Sequence, residues 1–335
     1  MTTSSIPDID LTPLLTRTDH AAERAAGEQM RSAITTVGPF TISGALPEPD
    51  LLHAVDRATR AFFAQPFDAR MAVHIDRSKY HRGFAPLGEE HGGTDHNEVY
   101  ELAQDLPAGC GRDPMAGPNQ WPDLDGFREP VEKYFAHMLT VARAVFRGLA
   151  IAMDEAPDYF DPHLRQPSTA MRLLHYPHYP PGDRDRTLPA CHEHTDYECF
   201  TILRASSPGL EQRTVDGEWV ATPPVPGRLA VTLGQLMEVW TNGEFPATTH
   251  RVRQSTGGRC SWPVFCTVDY WTPVAPRPQF VSDARPARAP VIAGQHLWSQ
   301  TAEAFSYLDD RVQAGHVSFT GQVHDPARGR QVPRH

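Results

Sequence analysis

Cys191-His192-Glu193-His194-Thr195-Asp196-Tyr197 is the densest run of metal-ligand side chains in the 335 residues, and its reading decides what kind of fold carries it. On an extended segment side chains alternate faces, so His192, His194 and Asp196 point the same way. Two chemistries fit that face. In one, His194 and Asp196 are the His-x-Asp part of a 2-His-1-carboxylate facial triad for non-haem Fe(II), which needs two neutral imidazoles and one anionic oxygen and leaves three positions open. His250, fifty-four residues downstream, is then the natural third ligand. In the other, His192, His194 and Asp196 open a zinc hydrolase site in which the metal activates a water. That pattern normally continues with histidine, whereas position 197 is tyrosine.

Beyond His250 the sequence reads as a strand, a Gly257-Gly258 turn and a new strand. On the new strand Arg259 and Ser261 share a face with Pro263 and Phe265. An inward guanidinium with an adjacent hydroxyl suits a bidentate grip on a carboxylate. A zinc hydrolase has no need of this pair; an oxygenase anchoring the far carboxylate of 2-oxoglutarate does. The same alternation puts Arg172, Leu174 and Tyr176 on one face of an earlier strand, from which Tyr176 offers a phenol to that carboxylate.

The formal charge is −10, from 31 Lys and Arg against 41 Asp and Glu. This disfavours nucleic acid or an anionic membrane as the main partner. The 32 prolines, excluded from helix interiors and central strands, argue against a helical bundle or coiled coil. Five cysteines without a C-x-x-C pair fit a reducing cytosol. The opening residues lack a basic region followed by an apolar one, and no stretch approaches the ~18 uninterrupted apolar residues of a membrane span. The expectation is a cytoplasmic protein with a small-molecule substrate and no obligatory protein partner evident.

Helical patterns cover about 19–36, 50–63 and 124–153; in the last, Phe127, Val131, Phe135, Met138, Ala142, Val145, Leu149 and Met153 recur at spacings of three and four. Residues 78–107 read as a long ordered loop with short strands at a cleft edge. From about 168 the texture changes to short β-prone runs at 170–176, 200–204, 217–220, 229–233 and 259–270, which argue for a sandwich or barrel. A final helix is expected over 297–312. The division is a mostly helical region, 1–165, packed on a core, 166–275, followed by a helical segment, 276–321, and a loose tail, 322–335.

Ile6-Pro7-Asp8-Ile9-Asp10, Phe62-Phe63 before Pro66, Arg82-Gly83-Phe84, Glu98-Val99-Tyr100-Glu101 and Asn119-Gln120-Trp121-Pro122 lead into the core. There follow Leu174-His175-Tyr176-Pro177, His194-Thr195-Asp196-Tyr197 with Thr201-Ile202-Leu203, Trp240-Thr241-Asn242-Gly243, His250-Arg251-Val252 and Arg259-Cys260-Ser261. In this order and spacing the pieces resemble the isopenicillin N synthase-like branch of the Fe(II)/2-oxoglutarate-dependent dioxygenases over nearly the whole chain. The resemblance implies a mainly β protein with flanking helices around a double-stranded β-helix (jelly-roll, cupin-like) core. It also implies Fe(II) on His194, Asp196 and His250, 2-oxoglutarate on Arg259, Ser261 and Tyr176, and O2 as co-reactant. The implied activity is oxidation of a C–H bond of a small metabolite, usually hydroxylation, with decarboxylation of 2-oxoglutarate to succinate. An amino-acid derivative or secondary-metabolite intermediate fits such a role.

An alternative within the resemblance is an oxidase or cyclase that dispenses with 2-oxoglutarate and holds the substrate's own carboxylate on Arg259 and Ser261. Three departures from the family pattern are Ser43-Gly44-Ala45 for Asn-His-Gly, Gly234-Gln235 for Gly-Asp, and Glu198 for the glycine two after the metal aspartate. Glu198 either faces the substrate with Asp196 or is an exposed strand-end glutamate. Arg172, a buried cation on this reading, meets a substrate group or a structural acid. Phe265 and the loop 80–90 are further candidates for the pocket wall.

Overall fold

The structure is a computed structural model that describes residues 6–89, 95–110, 113–178, 189–254 and 257–313. The helices are α1 (Thr12–Thr16), α2 (His20–Thr36), α3 (Pro49–Phe63), α4 (Phe67–Met71), α5 (Arg128–Ala152), α6 (Gln235–Trp240), α7 (Ala293–Ala304) and α8 (Ser306–Gln313). The early strands are β1 (Asp8–Asp10), β2 (Phe40–Ser43), β3 (Gly83–Ala85) and β4 (Glu98–Ala103). The core strands are β5 (Ala170–Tyr176), β6 (Cys191–His194), β7 (Phe200–Ala205), β8 (Leu210–Arg213), β9 (Trp219–Ala221), β10 (Arg228–Leu233), β11 (His250–Val252) and β12 (Arg259–Cys266). A short ladder of β13 (Pro273–Val274) and β14 (Val291–Ile292) follows.

A major sheet runs in the order β1-β2-β10-β7-β12-β5-β4-β3, and a minor sheet in the order β6-β11-β8-β9. The region before the core therefore contributes four strands as well as helices. They extend the major sheet at both edges, so the first 165 residues and the core share one sheet.

Period-two alternation explains what each face of the major sheet does. Met171, Leu173, Phe200, Ile202, Cys260, Trp262, Val264 and Cys266 join the hydrophobic core beneath the helices. Their neighbours Arg172, Leu174, Tyr176, Thr201, Leu203, Pro263 and Phe265 line a cavity on the other face. The covering helix is α5, which packs on α1, α2, α3 and β12. By length and composition alone α5 could cross a membrane, yet every residue of its expected apolar stripe is buried in this core. At the far end Phe62 touches Phe63, Phe84, Tyr100 and Phe127 with ring centroids 5.0–5.8 Å apart.

Two expectations need correction. Pro263 lies inside β12, a central strand. It is tolerated because the β12–β5 ladder lacks pairs at Trp262 and Pro263 and resumes at Val264 opposite Met171, so the missing N–H is not called on. The final helix is two helices, broken at Phe305, whose extended backbone (φ −122°, ψ 117°) ends α7. The break drives a fully buried Phe305 ring onto the cavity wall. The loose tail expected from 322 lies outside the described residues.

Phe62→Ala is expected to lower the unfolding free energy by about 3–5 kcal/mol, the cost of emptying a fully packed aromatic site. Urea denaturation followed by tryptophan fluorescence checks it.

Candidate metal centre

His194 ends β6 and His250 begins β11, and the antiparallel register sets them directly opposite each other. Their ring centroids are 4.2 Å apart. Asp196 sits two residues past β6 in the turn to β7, 5% exposed, with Oδ1 3.7 Å from His194 Nε2 and 3.6 Å from His250 Nε2. One ligand atom from each of the three lies within 4.8 Å of the others.

The surroundings aim these atoms. His194 Nδ1 is 2.7 Å from the His192 carbonyl oxygen, and His250 Nδ1 is 3.0 Å from that of Thr248. A carbonyl only accepts, so each Nδ1 carries the hydrogen and each Nε2 turns a lone pair to the centre. Burial holds His250 below the usual imidazole range, against the pull of Asp196 and with the help of His194. The Thr201 hydroxyl donates to Asp196 Oδ2 and leaves Oδ1 for the centre. The turn is pinned where Gln235 N–H donates to the Asp196 carbonyl. Gly234 beside it must lack a side chain, because a Cβ would lie 2.2 Å from the Glu198 carbonyl oxygen. Two neutral imidazoles and one carboxylate on one side of an open cavity are the donor set that Fe(II) takes in a facial triad.

His192 does not join them. Its Nδ1 is 2.9 Å from Asp95 Oδ1 and its side chain is about half exposed. The common face expected for His192, His194 and Asp196 fails because β6 ends at His194 and the chain turns. The zinc set His192/His194/Asp196 is therefore not assembled.

Arg259 lies opposite Tyr176 in the β12–β5 register, its guanidinium carbon 4.9 Å from the centre of that ring. Its Nε donates to the Ser207 carbonyl, whereas Nη1 and Nη2 are buried without a hydrogen-bond partner among the described residues. A buried guanidinium with unmet donors is costly unless an acceptor arrives. A carboxylate of 2-oxoglutarate supplies two acceptor oxygens in the geometry of that fork. Ser261, fully buried on the same strand, has its hydroxyl 3.4 Å from the Arg204 carbonyl oxygen.

A cavity opens in front of the centre, lined by residues of both sheets and of α7. Arg172 reaches into it and donates from Nε to Glu101, its cross-strand neighbour on β4, at 2.8 Å. The structural acid expected as one partner of Arg172 is thus Glu101. The guanidinium also lies 5.3 Å from the ring centre of Phe265 and 5.8 Å from that of Phe305. Burial would raise the Glu101 carboxyl, but His81, Arg172 and Arg82 together outweigh it and hold it down at about 2. Glu198 is buried and lines the cavity, which discards the exposed strand-end alternative. Burial first, and then the Asp196 charge, push its carboxyl up to about 8.

Sequence reading missed the far wall. Leu297, Thr301, Ala304 and Phe305, from α7 and its end, close the cavity. No local signal marks them, since they join Arg172 and Phe265 around the cavity only through the tertiary fold. Glu101 and Arg82 stood inside quoted motifs, but nothing in their spacing named Arg172 as a neighbour.

Fold and site together define a non-haem metal oxygenase. The family described as the 2OG-Fe(II) oxygenase superfamily matches residues 168–268, and that described as the non-haem dioxygenase in morphine synthesis N-terminal region matches 6–124. A 2-oxoglutarate-dependent dioxygenase of Didymella fabae is 32% identical over 79% of this chain and 86% of its own length. A homoarginine-6-hydroxylase of Glycine max is 31% identical over 82% of this chain and 88% of its own. Among solved structures, a full-length Neurospora crassa protein in complex with alpha-KG superposes with a TM-score of 0.78 at 22% identity, covering 90% of this chain and 97% of that one, and so shares the fold. The chain belongs to the Fe(II)/2-oxoglutarate-dependent dioxygenases and uses Fe(II) and 2-oxoglutarate. The relatives favour this over the oxidase that dispenses with 2-oxoglutarate.

A carboxyl held low in the fold contributes stability above its unfolded value near 4.5, and that contribution is lost as pH falls toward about 2. The apoprotein is therefore expected to lose thermal stability between pH 4.5 and 2 more steeply than Glu101→Gln, which is several degrees less stable at pH 7. Melting curves across that range check both.

Proposed function

We propose that His194, Asp196 and His250 hold Fe(II) and that Arg259 receives the far carboxylate of 2-oxoglutarate, with Tyr176 and Ser261 beside it, so that the enzyme hydroxylates a C–H bond of a small metabolite. The observation that carries this reading is the pairing of a converged His-Asp-His set with a buried arginine whose Nη1 and Nη2 lack partners. When bound, Fe(II) and 2-oxoglutarate supply the oxidising power through O2 and release succinate and CO2. The chain's own part is position and exclusion. The carbonyls of His192 and Thr248 fix the imidazoles, Thr201 fixes the carboxylate, and Arg259 fixes the cosubstrate's orientation. Phe265, Phe305 and Leu297 cover the space in front of the metal with apolar surface, and Arg172, held by Glu101, edges the same space. Whichever C–H bond this wall brings closest to the metal decides the product.

The same reading takes residues 166–275 as the catalytic core and the chain as active without an obligatory protein partner. It places the enzyme in the cytoplasm, supported by five cysteines that are all free thiols.

Anaerobic addition of 2-oxoglutarate to the Fe(II) protein is expected to produce the weak visible charge-transfer band of the chelate. In Arg259→Ala the affinity read from that band should fall by about thirtyfold or more, since losing one partner of a buried charge pair costs about 2–5 kcal/mol. Native protein that takes up Fe(II) and shows no band contradicts the proposal.

A further inference from the structure

Glu198 is a buried carboxyl for which neither the metal centre nor the cosubstrate grip has a use. It is 8% exposed and lines the cavity in front of the centre. No other residue among those described donates a hydrogen bond to it. Asp196, Arg172 and Glu101 line the same cavity, and all three charges act on the Glu198 carboxyl.

The other charges around the cavity are already committed. On the reading proposed above, Asp196 and the two imidazoles take the metal and Arg259 takes the cosubstrate carboxylate. Glu101 and Arg172 hold each other, and Asp95 holds His192. Arg82 donates to the carbonyls of Tyr80, His81 and Met115. Among the described residues the Glu198 carboxyl has no ion pair of its own, and a buried carboxyl is costly to ionise unless a counter-charge with donors reaches it. In the same cavity the rings of Phe265 and Phe305 offer apolar surface for the rest of a ligand.

We propose that Glu198 is the specificity-determining residue for a substrate bearing a cationic nitrogen, a protonated amine or a guanidinium, and that it seats this group beside the metal so that a carbon of the attached chain meets the oxidising face. A neutral isostere of the same shape offers weaker donors and no counter-charge, so discrimination falls between charge states more than between sizes. This inference rests on the Fe(II)/2-oxoglutarate reading.

The test is equilibrium binding to anaerobic protein loaded with Fe(II) and 2-oxoglutarate, by calorimetry, with matched pairs whose neutral member carries no cationic nitrogen: butylguanidine and butylurea, cadaverine and 1,5-pentanediol, putrescine and 1,4-butanediol. The chelate band of the native protein, recorded first, reports on the metal and cosubstrate reading separately from the outcome for Glu198. At least one cation is expected to bind tenfold or more tightly than its neutral partner. Glu198→Gln is expected to bring that ratio within about threefold, and Glu198→Asp, which keeps the charge, to retain a preference for the cation. A chelate band together with neutral members that bind as tightly as cations, with no saturable binding by any cation, or with an undiminished cation preference in Glu198→Gln overturns the proposal.

Discussion

The antiparallel register that sets His194 opposite His250 is the constraint on which the rest of the molecule depends. Two histidines fifty-six positions apart become neighbours because β6 and β11 pair at that point, and Asp196 joins them because the chain turns immediately after β6. A slip of one residue would send one imidazole to the other face of the minor sheet. Features that look unrelated guard this register. Gly234 leaves room for the Glu198 carbonyl, the Gln235 amide holds the Asp196 carbonyl, and the Gln235 side chain links Thr195 to His296 on α7. The last contact ties the metal turn to the helix that closes the cavity.

The major sheet divides its labour by alternation. One set of side chains makes the dry core under α5, and the alternate set makes the site, so stability and chemistry come from the same strands without sharing residues. Polar groups on the site face survive burial only by pairing. Glu101 with Arg172 and Thr201 with Asp196 are satisfied within the chain, whereas among the described residues the Nη atoms of Arg259 have no hydrogen-bond partner and the Glu198 carboxyl has no ion pair of its own. The unmet groups are thus the best guide to what binds.

Much of this was legible from local pattern. His194, His250, Arg259 and Tyr176 sit on short extended segments where alternation is reliable, Asp196 follows at once in the turn after β6, and the apolar stripe of α5 repeats at helical spacing. What was lost depended on where segments end or meet. His192 looked like a ligand because the strand was read through to Asp196, and the single terminal helix broke at Phe305 because burying that ring against Arg172 and His81 outweighs local helix continuity. The Glu101–Arg172 pair depends on a strand register that no local pattern encodes.

The central claim is that strand pairing makes His194, Asp196 and His250, and not His192, one metal site. Anaerobic Fe(II) titration of the apoprotein and of four single alanine variants tests it most directly. One ion per chain is predicted for the native protein and for His192→Ala, with binding lost or weakened by orders of magnitude in His194→Ala, Asp196→Ala and His250→Ala. Native-like affinity in His250→Ala, or loss of the ion in His192→Ala, would contradict it.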